Sequence, residues 1–331
     1  APQTQRTTTV TPSRPSHVNK TQDQTRAWFY YQQVLVGGAF EKPAFKNVIV
    51  NGMVLAEDGK KMAKKLKNYP DPTYMLDTYG ADAMRLYLLS SPVVRAEDLR
   101  FTESEVAEVS RKVMGRLENV YSFYELYKDS VAHDASSDST HVLDQWIVAR
   151  AHQLHARVSK AMDAYELDRA VRPLGEFVDD LSTWYIRRSR DRFKNKGTSD
   201  VPLSEDNDAE KKAALQTIRW VLRKYAKISA PFTPFIADWL WIRTKRYDDP
   251  ESVHLANWCS VKEPNTEVLK NMEQTREVVS AALEKRTQAN IKVRQPLASL
   301  TTTAKLSEEY IELVRDEVNV KEVKHDTSLQ E

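Results

Sequence analysis

The chain has 331 residues, of which 41% are hydrophobic and 29% charged; this composition predicts a soluble globular protein of two or three domains and excludes a disordered one. No apolar run approaches the roughly 20 residues of a membrane span, and a formal net charge of +2 supplies no overall attraction for a polyanion, so a nucleic-acid surface would have to come from clustering. The single cysteine, Cys259, leaves no intrachain disulfide and no multi-cysteine zinc site, which fits the cytoplasm, and a total of 8 glycines favours helix.

In chain order, residues 1–22 are rich in Thr, Pro and Ser, lack acidic residues and show no apolar period, which predicts a disordered tail. Such a stretch has the composition of a transit peptide or of a fragment end; Ala at position 1 favours the latter. Trp28, Phe29, Tyr31, Val34 and Leu35 mark an apolar helix, stopped by Gly37-Gly38. Val48-Ile49-Val50, Asn51-Gly52 and Val54-Leu55 read as a hairpin with a tight turn. A lysine-rich loop follows, Lys60 to Lys67, closed by Pro70-Asp71-Pro72. Pro72 opens a helix that Gly80 breaks, and Ala83, Leu86 and Leu89 continue on a second.

Long helices follow. Leu143, Trp146, Ile147, Leu154, Val158, Ala161 and Tyr165 keep helical spacing, as do Ala170 to Trp184 and Leu215 to Tyr225. Residues 196–209 read as an interhelical loop, Ile236 to Trp241 as another helix, and Pro264 to Arg286 as a further one. Trp146, Trp220, Trp239 and Trp241 are expected in the core, together with the phenylalanines of Ala230–Phe235. Strands at Ala298–Thr303 and Val318–Val323 flank a last helix near Glu308–Arg315. His152 and His155 share a helix face, but nothing nearby completes a metal site.

Five lysines between a strand pair and a proline turn are, by themselves, most simply a solvated loop. Their setting adds more. Lys61-Met62-Ala63-Lys64-Lys65 resembles the KMSKS loop of class I aminoacyl-tRNA synthetases. Asn47–Leu55 (NVIVNGMVL), Asn68–Pro72 (NYPDP), Tyr79–Ala83 (YGADA) and Pro92–Arg95 (PVVR) resemble segments of the isoleucyl members, especially the eukaryotic-type branch. Asp23–Phe29 (DQTRAWF) resembles the DQTRGWF segment of that family.

The resemblance implies that Lys61, Met62, Ala63, Lys64 and Lys65 close over ATP, with Mg2+ accompanying it. Lys61 and Lys64 would be catalytic, opposing charge that builds on the leaving pyrophosphate as the amino-acid carboxylate attacks the α-phosphate. Asp23, Gln24 and Trp28 would line the aminoacyl-adenylate pocket. Four departures stand out. Ala63 and Lys65 replace the two serines of the loop motif, a basic residue at 65 fitting the eukaryotic-type branch. Ala27 replaces a glycine, and Lys20-Thr21 stands where the family has Glu-Gly, so homology is expected to begin near Asp23. None of the seven histidines lies in the family's His-x-Gly-His motif. The N-terminal catalytic half is thus expected to be missing and the chain alone inactive.

Trp184, Arg187, Arg188, Arg190 and Arg192 form the densest basic cluster. A helix C-terminus stabilises cations, and arginine forks pair with phosphate while an aromatic can stack on an unpaired base. Leu143–Ile147 (LDQWI), Trp184–Arg188 (WYIRR) and Ala230–Phe235 (APFTPF) resemble the anticodon-binding bundle of the same family, which implies tRNA(Ile) contact at the five cluster residues. Arg294–Leu297 and Asn319–Val323 resemble the start of its C-terminal junction. The expected fold is mainly α: a C-terminal remnant of a Rossmann-type catalytic domain over 23–100, a connecting helical segment over 101–140, an anticodon-binding bundle over 141–262, and a small α/β tail over 263–331. The function implied is part of an enzyme joining isoleucine, ATP and tRNA. A catalytically inactive tRNA-binding relative, and valyl or leucyl specificity, are the alternatives.

Overall fold

The computed structural model describes residues 17–21, 29–128, 138–193 and 205–326. Helix dominates, and the chain divides into two compact units, residues 1–110 with 161–172 and residues 111–160 with 173–331.

In the first unit, β1 (His17–Thr21) pairs in parallel with β2 (Asn47–Asn51), His17 opposite Asn47 through Thr21 opposite Asn51. The expectation of a structureless tail over 1–22 is therefore corrected for 17–21. The strand's hydrogen-bond partners lie 30 positions away, where local composition carries no signal. Helix α1 (Tyr30–Phe40) runs through Gly37-Gly38 and is capped by Glu41, which adopts a left-handed φ of 52° and donates its N–H to Gly37 O at 2.9 Å. An interior glycine costs only about 1 kcal/mol, so a pair of them weakens a helix without ending it.

The expected hairpin does not form either. Strand β3 (Val54–Leu55) pairs in parallel with β4 (Leu99–Arg100), not with β2. Gly52 serves a different purpose from a hairpin turn: its N–H donates to Val93 O at 2.8 Å. A Cβ at that position would stand 1.9 Å from Glu97 O, so the two backbones approach closely enough to require glycine.

Beyond the lysine loop, α2 (Pro72–Tyr79) starts as expected, with Pro72 in its first turn and the Asp71 carboxylate accepting from Thr73 N at 2.8 Å and Tyr74 N at 3.1 Å. Gly80, at φ 82°, separates it from α3 (Ala81–Ser90), and α4 (Glu103–Val109) follows β4. Met75, Ala83, Leu86 and Val106 are buried at the heart of this unit.

The second unit is built on α5 (Gly115–Tyr127), α6 (Val142–Asp163), α7 (Leu167–Asp179), α8 (Arg187–Phe193), α9 (Glu205–Ser229), α10 (Pro234–Thr244) and α11 (Thr266–Gln288). Residues 161–163 of α6 and 167–172 of α7 are assigned to the first unit, and a π-helical segment, Asp180–Ile186, joins α7 to α8. Ile147, Leu174, Phe177, Leu181, Tyr185, Leu215, Ile218, Leu222 and Trp241 are fully buried, as the apolar spacing requires.

Three core expectations change. Tyr165 lies past the end of α6 with φ 58° and is exposed. Phe232 packs but Phe235, in the first turn of α10, faces solvent. Trp146 and Trp241 are core, whereas Trp220 and Trp239 are only half-buried. The expected loop over 196–209 is also shorter at its end, because α9 begins at Glu205. Residues 194–204 lie outside the described chain. The unit closes with β5 (Leu297–Thr302), α12 (Glu308–Val318) and β6 (Val320–His325); the helix is the crossover that two parallel strands need. Among the described residues no helix is long and apolar enough to cross a membrane.

Candidate functional site

The lysine loop leaves β3 through a tight turn. Gly59 donates to Ala56 O at 2.8 Å, Ala56 donates to Lys60 O at 2.9 Å, and Lys60 Nζ meets Asp58 at 3.4 Å across an exposed pair. From Lys61 onward the loop is organised by one side chain. The Asn68 amide accepts from Ala63 N at 3.0 Å and donates to Lys61 O at 3.3 Å, so it grips the backbone on both sides of Met62. Leu66 N–H to Ala63 O at 3.0 Å and a left-handed Lys67, φ 47°, complete the turn.

The backbone is thus held while the cations are not. Lys61, Lys64, Lys65 and Lys67 are exposed, and among the described residues none of them has an ion-pair partner. Met62 and Ala63 are half-buried. Ala63 contributes its N–H to the tether, a role that the serine-to-alanine departure leaves intact. Asn68 is the residue that reading the motif alone misses; its position in Asn68-Tyr69-Pro70, just before the proline turn, is the only signal for it.

The arginine cluster is arranged differently. Arg192 forks onto Asp144, Nη1 and Nη2 reaching its two oxygens at 2.8 and 2.7 Å. Asp144 also accepts from Tyr185 Oη at 2.7 Å and Ser139 Oγ at 2.6 Å, and is fully buried. Burial works against its ionisation, but the Arg192 guanidinium and these two hydroxyls hold the carboxyl below the usual carboxylate range. Burial, then the Asp144 charge, push the Tyr185 hydroxyl well above its ordinary value.

Arg187 and Arg188 both pair with Glu317 of α12, and Arg188 also donates to Leu313 O at 3.3 Å. Trp184 is buried, with the Arg276 guanidinium 5.3 Å from its ring centre. Arg276 in turn reaches Asp180 at 2.7 Å.

The expectation of one five-residue RNA surface is therefore corrected. A buried Trp184 offers no face to a base, and Arg192 is committed to a buried carboxylate. Arg188 is nearly buried between its acidic partners, with a side-chain exposure of 11%. Arg187 is paired yet still half open to solvent, and Arg190 is exposed with no ion-pair partner among the described residues. Asp23, Gln24 and Trp28 lie outside the described residues. Among the described residues no three His, Cys, Asp or Glu side chains gather to hold a metal ion.

Residues 3–100 match the class I tRNA synthetases (I, L, M and V), and residues 144–302 match the anticodon-binding domain of tRNA ligases. The first match begins well before Asp23, so the expected start of homology is moved upstream. The chain is 41% identical over 312 residues to the isoleucine–tRNA ligase of Chlamydia pneumoniae and 38% identical over 325 residues to that of Treponema denticola. In both cases 91% of this chain and 29% of the relative are covered, so the chain spans under a third of these relatives' length.

Among solved structures, a leucyl synthetase from Agrobacterium radiobacter in a ternary complex with tRNA superposes with a TM-score of 0.56 at 16% identity, covering 78% of this chain and 30% of that one. A methionyl synthetase from Mycobacterium tuberculosis superposes with 0.55 at 20% identity, covering 68% and 43%. These likenesses speak for the fold. By the sequence matches the chain is a stretch of class I tRNA synthetase sequence, homologous to isoleucine–tRNA ligases across 91% of its own length.

Proposed function

We propose that this chain is the part of a cytoplasmic isoleucine–tRNA ligase that brings the lysine loop to ATP and the helical bundle to tRNA(Ile). The observation that carries the reading is the loop itself: four exposed, unpaired lysines on a backbone that Asn68 holds in place. In the reaction, the isoleucine carboxylate attacks the α-phosphate of ATP, isoleucyl-adenylate forms and pyrophosphate leaves. Charge accumulates on the β- and γ-phosphates as that bond breaks. Lys61 and Lys64 are the groups that meet it, Lys65 and the backbone of Met62 and Ala63 complete the loop, and Mg2+ enters with the nucleotide. A tethered backbone with free ammonium groups suits this task, since nothing must be unpaired before the phosphate arrives.

Residues 23–100 are read as the C-terminal remnant of the Rossmann-type domain, with Asp23, Gln24 and Trp28 at the adenylate. Residues 101–140 connect to the bundle over 141–262, and 263–331 begin the junction region. The segments Asn47–Leu55, Asn68–Pro72, Tyr79–Ala83 and Pro92–Arg95, with a basic Lys65, are the basis for assigning the eukaryotic-type branch. On the bundle, Arg190 and the open side of Arg187 are the cluster residues left for tRNA phosphate.

Ala63 at the motif's serine favours a second reading, a catalytically inactive tRNA-binding relative. Isoleucine-dependent pyrophosphate exchange separates the two. The chain alone should give none, and the chain supplied with the N-terminal catalytic half of a relative should give exchange that falls about 100- to 1,000-fold on Lys61→Ala. Exchange by the chain alone, or exchange indifferent to Lys61, would contradict the leading reading.

A further inference from the structure

On the face of the second unit formed by α6, α9 and the segment after α10 lies a cavity of about 230 Å³ with Arg223, Lys224, Lys227 and Lys262 on its walls. Four cations converge there. Among the described residues only Arg223 of the four is ion-paired with a carboxylate, Asp249, which also feels the charge of Lys227. Lys224 Nζ sits 3.1 Å from His155 Nδ1 and 3.1 Å from Cys259 Sγ, so its hydrogen-bond partners are an imidazole and a thiol. Among the described residues neither Lys227 nor Lys262 has an ion-pair partner. Lys227 lies over the buried Trp241 ring at 5.1 Å and Arg223 over the same ring at 5.3 Å, which holds both side chains in place. Half-buried Trp220, edge-on to His152 at 5.3 Å, forms an aromatic part of the wall.

The two histidines respond mainly to burial and secondarily to the lysines. Burial, then Lys224, push His155 down to about 4, and burial, then Lys224 and Lys262, lower His152. Neither imidazole can supply a negative charge, and no Asp or Glu is among the lining residues; Asp249, just outside, is held low against burial by the Arg246 N–H, then Arg223 and Lys227. Cations fixed around a concave, partly desolvated site concentrate the field on whatever enters it.

We propose that this cavity is a phosphate-binding site that takes backbone phosphates of the tRNA, separate from the arginines of α8. The RNA assignment rests on the tRNA-binding reading above; the phosphate chemistry rests on the cavity alone. Ammonium groups meet the phosphate oxygens as point charges, and Trp220 offers an apolar edge to the adjoining sugar or base.

The chain's only cysteine, Cys259, lies in the cavity wall and serves as its reporter. The test is the rate of Cys259 alkylation by iodoacetamide, a neutral reagent, in the full chain alone, with inorganic pyrophosphate and with tRNA(Ile) transcript. Both additions should slow alkylation at least about fivefold. The Lys227→Gln/Lys262→Gln variant, which spares Lys224 and its buried contacts, should lose that protection. Its slope of log tRNA affinity against log salt should fall by about 1 to 2, in line with one or two lost phosphate contacts.

Binding of tRNA with Cys259 unprotected, or with affinity and salt slope unchanged in the variant, overturns the inference and leaves the tRNA reading standing. Protection by pyrophosphate without any tRNA binding keeps the phosphate site, and removes both the RNA assignment and the tRNA reading. Protection by neither overturns the site altogether.

Discussion

The lysine loop and the arginine helix carry similar positive charge over a few residues, yet they hold it in opposite ways. In the loop, hydrogen bonds from Asn68 fix the backbone and leave Lys61, Lys64 and Lys65 exposed and unpaired. In the helix, Arg192 is bound to the fully buried Asp144, while Arg188 and Arg187 share Glu317. Exposed charges are available to a ligand and contribute little to folding. Paired buried ones are already spoken for, and removing one partner strands the other. A basic cluster therefore points to a ligand only once its own acids have been located.

Several substitutions can break or sharpen this contrast. The largest effect is expected from Asp144→Ala or Arg192→Ala, which leaves a buried charge uncompensated and should cost about 3–5 kcal/mol in chemical denaturation. Replacing both with apolar side chains should restore much of the loss, because the desolvation penalty disappears with the pair. The same carboxylate gives a pH signature. Its folded pKa lies below the unfolded value of about 3.9, so its stabilisation is fully present above that value and is lost as pH falls through the folded one. Asp144→Asn should flatten the acid limb of the stability curve below about pH 4.

Next in size is Gly52→Ala, which drives a methyl group into Glu97 O and should cost about 1–3 kcal/mol. Asn68→Ala should cost about 1 kcal/mol locally, visible as faster hydrogen exchange at the Ala63 amide with the unfolding midpoint unchanged. Smallest of all, Lys64→Ala should move stability by less than about 0.5 kcal/mol.

Much of this was legible in the sequence, and the parts that were not share a cause. Apolar spacing located the helices from Leu143 to Tyr225 because a buried helix face is encoded within its own residues. Pro72 and Gly80 marked the ends of α2 for the same local reason. The parallel pairing of β2 with β1, and the use of Gly52 as a contact to Glu97, depend on partners 30 and 45 positions away. The fate of the arginines depends on Asp144 and Glu317, which lie 48 and 129 positions from Arg192 and Arg188. The lysine loop could be recognised because its motif and the segments flanking it are contiguous in the sequence. The cavity at Lys224, Lys227 and Lys262 carries no local signal, since it is assembled from α6, α9, α10 and the segment after α10.

The loop's cations are free for a ligand, whereas Arg188 and Arg192 of the helix are structural. Equilibrium unfolding of two variants tests it most directly: Lys61→Gln/Lys64→Gln/Lys65→Gln against Arg188→Gln/Arg192→Gln. The lysine variant should unfold within about 0.5 kcal/mol of the unaltered chain, and the arginine variant should lose at least about 3 kcal/mol. Equal losses, or a larger one from the lysines, would contradict it.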